Sequence, residues 1–122
     1  MPLARNQMGG GNSAGAARAM NGTAINSAVT AAGTTQGTAT AITGDINIVT
    51  TATTGQGVIL YNGVIGDSQE VFNNTTADIR VYPPTSGNVN QLSANSGFVL
   101  APYTAVVVKK MTATQWVGYL SA

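Results

Sequence analysis

Gln69-Glu70-Val71-Phe72-Asn73-Asn74-Thr75-Thr76-Ala77-Asp78-Ile79-Arg80-Val81-Tyr82-Pro83-Pro84 is the stretch on which the fold turns. Two blocks rich in β-branched and aromatic residues flank a short polar connector, which is the pattern of two strands joined by a turn. The connector's Asn pair tolerates left-handed backbone angles, so the blocks are expected to fold back on each other as an antiparallel hairpin. In the second block Ile79 and Val81 alternate with Asp78, Arg80 and Tyr82, which places the first two inward and the others outward. Pro83-Pro84 ends the block, because neither proline can donate a ladder hydrogen bond.

Outward from this stretch the same texture runs from Thr38 to the end of the chain. Thr40 and Ile42 alternate with Ala39 and Ala41, Ile46 and Ile48 share one face of the next strand, and Gly44-Asp45 supplies the turn between them. Val58 to Tyr61, Gly97 to Leu100, Ala105 to Lys110 and Gln115 to Leu120 are further blocks. Asn62-Gly63 is a hairpin signal, although the segment to Ser68 reads equally well as an open loop. About eight short strands, spaced by about 8 to 12 residues and with no helix-period stripe, predict an all-β fold, a small antiparallel sandwich or barrel. The Thr-rich stretch Thr34 to Thr54 suggests a β-solenoid as the alternative, set aside because no fixed repeat period is found.

Residues 1–37 have a different character. They contain no aromatic, a Gly9-Gly10-Gly11 run, and, after Met1, only Leu3, Met8, Met20, Ile25 and Val29 as sizeable apolar groups. Burial of so few side chains does not repay the backbone entropy of ordering, about 1 to 2 kcal/mol per residue. The expected division is an extended N-terminal arm at 1–37 and a β-domain at 38–122, a free tail being the alternative for the arm. Leu3, Arg5, Met8, Arg18, Met20, Ile25 and Val29 are the candidate anchors of this arm to neighbouring subunits. Thirty-four extended residues reach on the order of 110 Å, enough to pass from one subunit to the next.

The chain has no histidine, no cysteine, five bases and four acids. Charged residues make up 7% of it, against about 25% in ordinary soluble domains. A near-neutral surface with few ionisable groups tends to associate, so much of it is expected to be covered by other subunits. A Ser or Thr nucleophile would have only Lys or a carboxylate as its base. Lys109 and Lys110, adjacent in a strand, point to opposite faces and suit a solvated edge or a neighbour's acid. Asp45, Asp67 and Asp78 stand at turn or strand-end positions, where Asp serves local backbone donors rather than a hydrolytic carboxylate pair. Gly55-Gln56-Gly57 lacks the lysine and the following helix of a phosphate loop.

The scattered cations do not form a nucleic-acid patch, and no apolar run nears the ~20 residues of a membrane helix. A non-enzymatic chain is expected, with no cofactor, metal or small-molecule substrate. Ile79, Val81, Phe98, Val106, Val108, Trp116 and Tyr119 are the candidates for core or subunit interface, the aromatics because they carry large apolar area.

One set of spaced motifs goes further: Gly57-Val58-Ile59-Leu60, Gln69-Glu70-Val71-Phe72-Asn73, Ile79-Arg80-Val81-Tyr82-Pro83-Pro84, Gly87-Asn88-Val89-Asn90 and Thr114-Gln115-Trp116. In these, residues 38 to 120 resemble small structural proteins of tailed bacteriophages, of the capsid-decoration and head-fibre kind. The segment before them matches no such motif. The resemblance implies a β-rich virion protein made in the host cytoplasm, often a homotrimer, docked on the outer surface of the capsid and without enzymatic activity. The expected function is that of a capsid decoration (cement) protein bound to the major capsid protein. The alternative is a tail or fibre module that recognises a host surface through the loops Asn62 to Ser68 and Pro84 to Ser96, with Tyr61, Tyr82 or Tyr103 as stacking platforms.

Overall fold

The computed structural model describes residues 24–121 and contains ten strands with a single short 3-10 helix, Gln36–Thr38. The strands are β1 (Ile25–Thr30), β2 (Thr40–Ala41), β3 (Ile46–Thr51), β4 (Gly57–Ile59), β5 (Ser68–Asn73), β6 (Ile79–Tyr82), β7 (Asn88–Val89), β8 (Phe98–Leu100), β9 (Ala105–Lys110) and β10 (Gln115–Leu120). The first six alternate between two sheets. β1, β3 and β5 lie parallel in one sheet, and β2, β4 and β6 lie parallel in the other. The chain therefore winds through successive two-strand coils, as a β-solenoid does. It is then closed by two strands running the other way, β8 antiparallel beside β6 and β9 antiparallel beside β5, after which β10, antiparallel beside β9, returns to the direction of β5 with β7 parallel at its edge. The finished sheets have the orders β1-β3-β5-β9-β10-β7 and β2-β4-β6-β8.

The all-β expectation holds, but the antiparallel sandwich or barrel is replaced by this solenoid-like winding. The hairpin expected between β5 and β6 does not form, since the two strands belong to different sheets. The connector makes a corner out of the sheet, and Asn73 fixes it. Its buried amide donates to the carbonyls of Ala77 (2.8 Å) and Leu100 (3.0 Å), and its Oδ1 accepts the Thr75 hydroxyl at 2.6 Å. Alternating burial is the same for a strand entering a corner as for one entering a hairpin, so the pattern alone could not separate them. The coil lengths explain why no period was visible. Ile25 pairs with Ile46 and Ile46 with Glu70, steps of 21 and 24 positions; Thr40 pairs with Val58 and Val58 with Val81, steps of 18 and 23.

One core lies between the sheets. Val29, Val49, Val71, Val106, Val108 and Trp116 enter it from the six-stranded sheet, and Val58, Ile79, Val81 and Leu100 from the other. Burying a side chain of this size contributes roughly 1.5–3 kcal/mol. Phe98 is half-buried against the cluster. The register places Ile46 and Ile48 on the outer face, while Asn47 and Val49 between and after them turn inward. Buried amides hold two further corners. Asn47 donates to the carbonyls of Gly44 (2.7 Å) and Glu70 (3.2 Å) and accepts from the Gly44 N–H; Gln69 exchanges a pair of hydrogen bonds with the backbone of Tyr61. A buried amide is tolerated because each of its polar atoms has a partner.

The boundary at residue 37 is also corrected. Ile25 and Val29, assigned above to the arm, lie in β1, paired to β3, and Val29 and Ala31 belong to the core. The 3-10 helix sits beside β4 and sends Gln36 Nε2 to the Pro83 carbonyl at 2.8 Å. A solenoid coil shares its core with the next coil, so one Val and one Ala suffice where an independent domain would need a full apolar stripe. Leu3, Arg5, Met8, Arg18 and Met20 lie outside the described residues.

Candidate interaction surface

The outer face of the six-stranded sheet carries an unusual row. Ile25 on β1 is in register with Ile46 on β3, Ile46 with Glu70 on β5, Glu70 with Val107 on β9, and Val107 with Tyr119 on β10. A second row runs Ile48, Phe72 and Ala105, and a third runs Ser68, Lys109 and Val117. The strands hold these side chains on one face because their neighbours in sequence, Asn47, Val49, Val71, Val106, Val108 and Trp116, are committed to the core. Ile25 is 62% exposed and Tyr119 59%, while Ile46, Ile48, Phe72, Val107 and Val117 are half-buried. An antiparallel or mixed sheet whose outer face met only water would carry polar residues here. Among the described residues Glu70 and Lys109 are the face's two charges, at diagonal positions on adjacent strands.

A second apolar feature stands at the corner between β4 and β5. Val64 and Ile65, 68% and 65% exposed, form the tip of the loop, and Met111 is exposed on the adjoining strand end. The loop is held rather than free. Gly63 and Gly66 adopt φ of +61° and +97°, the left-handed angles that glycine takes without a Cβ penalty. Asp67 Oδ2 accepts the Val64 N–H at 2.9 Å, and the Gly66 N–H donates to the Lys110 carbonyl at 2.8 Å. Lys110 folds inward, donating its ammonium to Asn62 Oδ1 (2.9 Å) and the Gly63 carbonyl (3.1 Å) while lying 5.1 Å from the Trp116 ring centre. The two adjacent lysines do face opposite ways: Lys109 is exposed and Lys110 buried. The indole N–H of Trp116, also buried, has no hydrogen-bond partner among the described residues.

The other candidate residues fall into distinct places. Ile79, Val81, Val106, Val108 and Trp116 are in the core, Phe98 is packed against it, and Tyr119 is on the outer face. Of the three tyrosines considered as stacking platforms, Tyr82 is covered. Its ring lies over Gly57 and Gly97, where any Cβ would approach it to 2.7 Å, and its hydroxyl donates to the Thr34 carbonyl at 3.1 Å. Tyr61 is half-buried and donates to Asp45 Oδ1 at 2.8 Å; burial first, then this contact, pushes its phenol well above the ordinary tyrosine range. Tyr103 is exposed, at a φ of +59° that a bulky residue rarely adopts. Asp67 accepts the backbone N–H of Val64 three positions away, the turn chemistry expected of it, whereas Asp45 accepts the N–H of Ala24, 21 positions away at the start of the first coil, and the Tyr61 hydroxyl. Among the described residues no three His, Cys, Asp or Glu side chains gather into a group able to hold a metal ion.

The outer face was missed because Ile46, Ile48, Phe72, Val107 and Val117 look like core residues in a sequence; only the fixed register shows that the opposite set fills the core. Comparison of the chain with protein-family models, with curated proteins and with solved structures finds no match.

Proposed function

We propose that this chain is a non-enzymatic structural protein of a virion, a capsid decoration protein that coats the outer surface of a phage head and binds the major capsid protein, with itself as a further partner in a homotrimer. The observation that carries the reading is the apolar outer face from Ile25 to Tyr119, joined to the sparse charge of the whole chain. Such a face, together with the Val64–Ile65 tip, suits a protein whose surroundings are other subunits. Its action is mechanical: burial contributes about 25 cal/mol per Å² of apolar surface before association costs, so many modest contacts across a lattice resist internal pressure together. The resemblance of residues 57–60, 69–73, 79–84, 87–90 and 114–116 to phage structural proteins points the same way.

The competing reading is a tail or fibre module, favoured by one observation, the exposed and backbone-strained Tyr103. Quantitative mass spectrometry of purified virions separates the two. Hundreds of copies per particle support decoration of the head, a handful supports the tail, and absence from particles overturns both.

A further inference from the structure

From the face geometry we infer that copies of this chain meet one another through the outer face of the six-stranded sheet, the row Ile25, Ile46, Glu70, Val107 and Tyr119 lying at the contact. The inference rests on the reading of the chain as an assembled part and names the surface and the partner. Three observations lead to it. The first is size. Five strands about 4.8 Å apart, each of about six residues at ~3.3 Å, make a face of roughly 24 by 20 Å, or roughly 480 Å² before the relief of the side chains is counted. That is over half of the ~800 Å² that each partner gives to a standard interface, and as large as the main apolar patch of a soluble protein, which is often functional.

The second is chemistry. Around one central acid, Glu70, the face is mostly apolar, with Ile46, Ile48, Phe72 and Val107 beside it, an isoleucine at one margin and a tyrosine at the other, a composition nearer to a protein interface than to a binding cleft for a small polar ligand.

The third is charge. The face holds one acid, Glu70, and one base, Lys109, on neighbouring strands. It is neutral in sum, so identical faces turned towards a common three-fold axis meet without like-charge repulsion when the acid of each copy lies against the base of the next. A strongly acidic or basic partner would leave one of these charges buried and unpaired.

The test is the solution mass of the full chain by sedimentation equilibrium. The wild type is expected at a multiple of 12.3 kDa at micromolar concentration. Val107→Glu places a second carboxylate directly across from Glu70 at the middle of the contact, a charge that Lys109 cannot also pair, and should raise the dissociation constant by roughly 100-fold or more. Tyr119→Lys, at a side chain too exposed to disturb the core, should weaken it in the same direction, with far-ultraviolet circular dichroism unchanged. Glu70→Lys alone should weaken association, and Glu70→Lys combined with Lys109→Glu should restore it. A monomeric wild type, or a mass untouched by both Val107→Glu and Tyr119→Lys, overturns the inference. A monomer that is nevertheless abundant in virions sinks this inference and leaves the decoration reading intact. An oligomer that responds as described but is absent from virions does the reverse.

Discussion

Asn73→Ala is the substitution that strikes the winding at its most informative corner. In the wild type the buried amide joins three places: the Ala77 carbonyl on the way to β6, the Leu100 carbonyl at the end of β8, and the Thr75 hydroxyl within the turn. Alanine removes all three bonds. The Ala77 carbonyl keeps the Thr75 hydroxyl at 3.2 Å, whereas the Leu100 carbonyl loses a donor in a buried setting. An under-satisfied buried carbonyl costs about 1–3 kcal/mol, and the remaining lost bonds about 1 kcal/mol, for a total of about 2–4 kcal/mol. For a body of this size each kcal/mol lowers the melting temperature by about 4–8 °C, so the expected fall is at least about 8 °C. Asn74→Ala, at the exposed neighbouring position, should change stability by less than about 0.5 kcal/mol. Thermal melts followed by circular dichroism decide the matter, with all samples at one protein concentration because self-association raises the melting point. If Asn73→Ala melts together with Asn74→Ala, the amide does not fix the corner and the reasoning fails.

Three other outcomes follow from the packing. Gly97→Ala brings a Cβ to 2.7 Å of the Tyr82 ring and should cost about 1–3 kcal/mol in urea unfolding, whereas Gly37→Ala, which meets nothing within 4 Å, should be nearly neutral. Lys110→Met keeps the apolar stem but removes the ammonium from Asn62, Gly63 and the Trp116 ring; a loss of about 1–2 kcal/mol is expected, with faster amide exchange at Gly66 while the core strands stay protected. Tyr61 sets an alkaline limit. Its folded-state pKa is raised above the unfolded value of 10.0, so between the two the native state holds a proton the unfolded chain has released, and stability falls as pH rises past about 10. Tyr61→Phe should show a shallower fall in melting temperature over that range; an equally steep one would show that Tyr61 does not govern it.

Part of this molecule could be seen in the residues before any coordinates. The strand blocks at Ile79–Tyr82, Ala105–Lys110 and Gln115–Leu120 were visible from β-branched alternation, as was the opposed facing of Lys109 and Lys110. What stayed hidden was how the blocks connect. Asn73-Asn74-Thr75-Thr76 has the composition of a hairpin turn, and its role as a corner depends on Asn73 finding Leu100, 27 residues away. The first coil was hidden for a related reason: β1 contributes so little apolar surface of its own that Ile25 and Val29 looked like anchors on an arm. The candidate surface was obscured by its resemblance to a core, because Ile48, Phe72 and Val107 have the same composition as Val49, Val71 and Val106 and differ only by one position of register.

The central claim is that this chain's apolar sheet face is covered by other protein subunits in an assembled virion. Electron cryomicroscopy of the intact particle, at a resolution that allows residues 24–121 to be traced in the density, tests it directly. The account predicts many copies on the outer shell, with Ile46, Phe72, Val107 and Tyr119 closed off against neighbouring chains. Traced copies with that face open to water would contradict it.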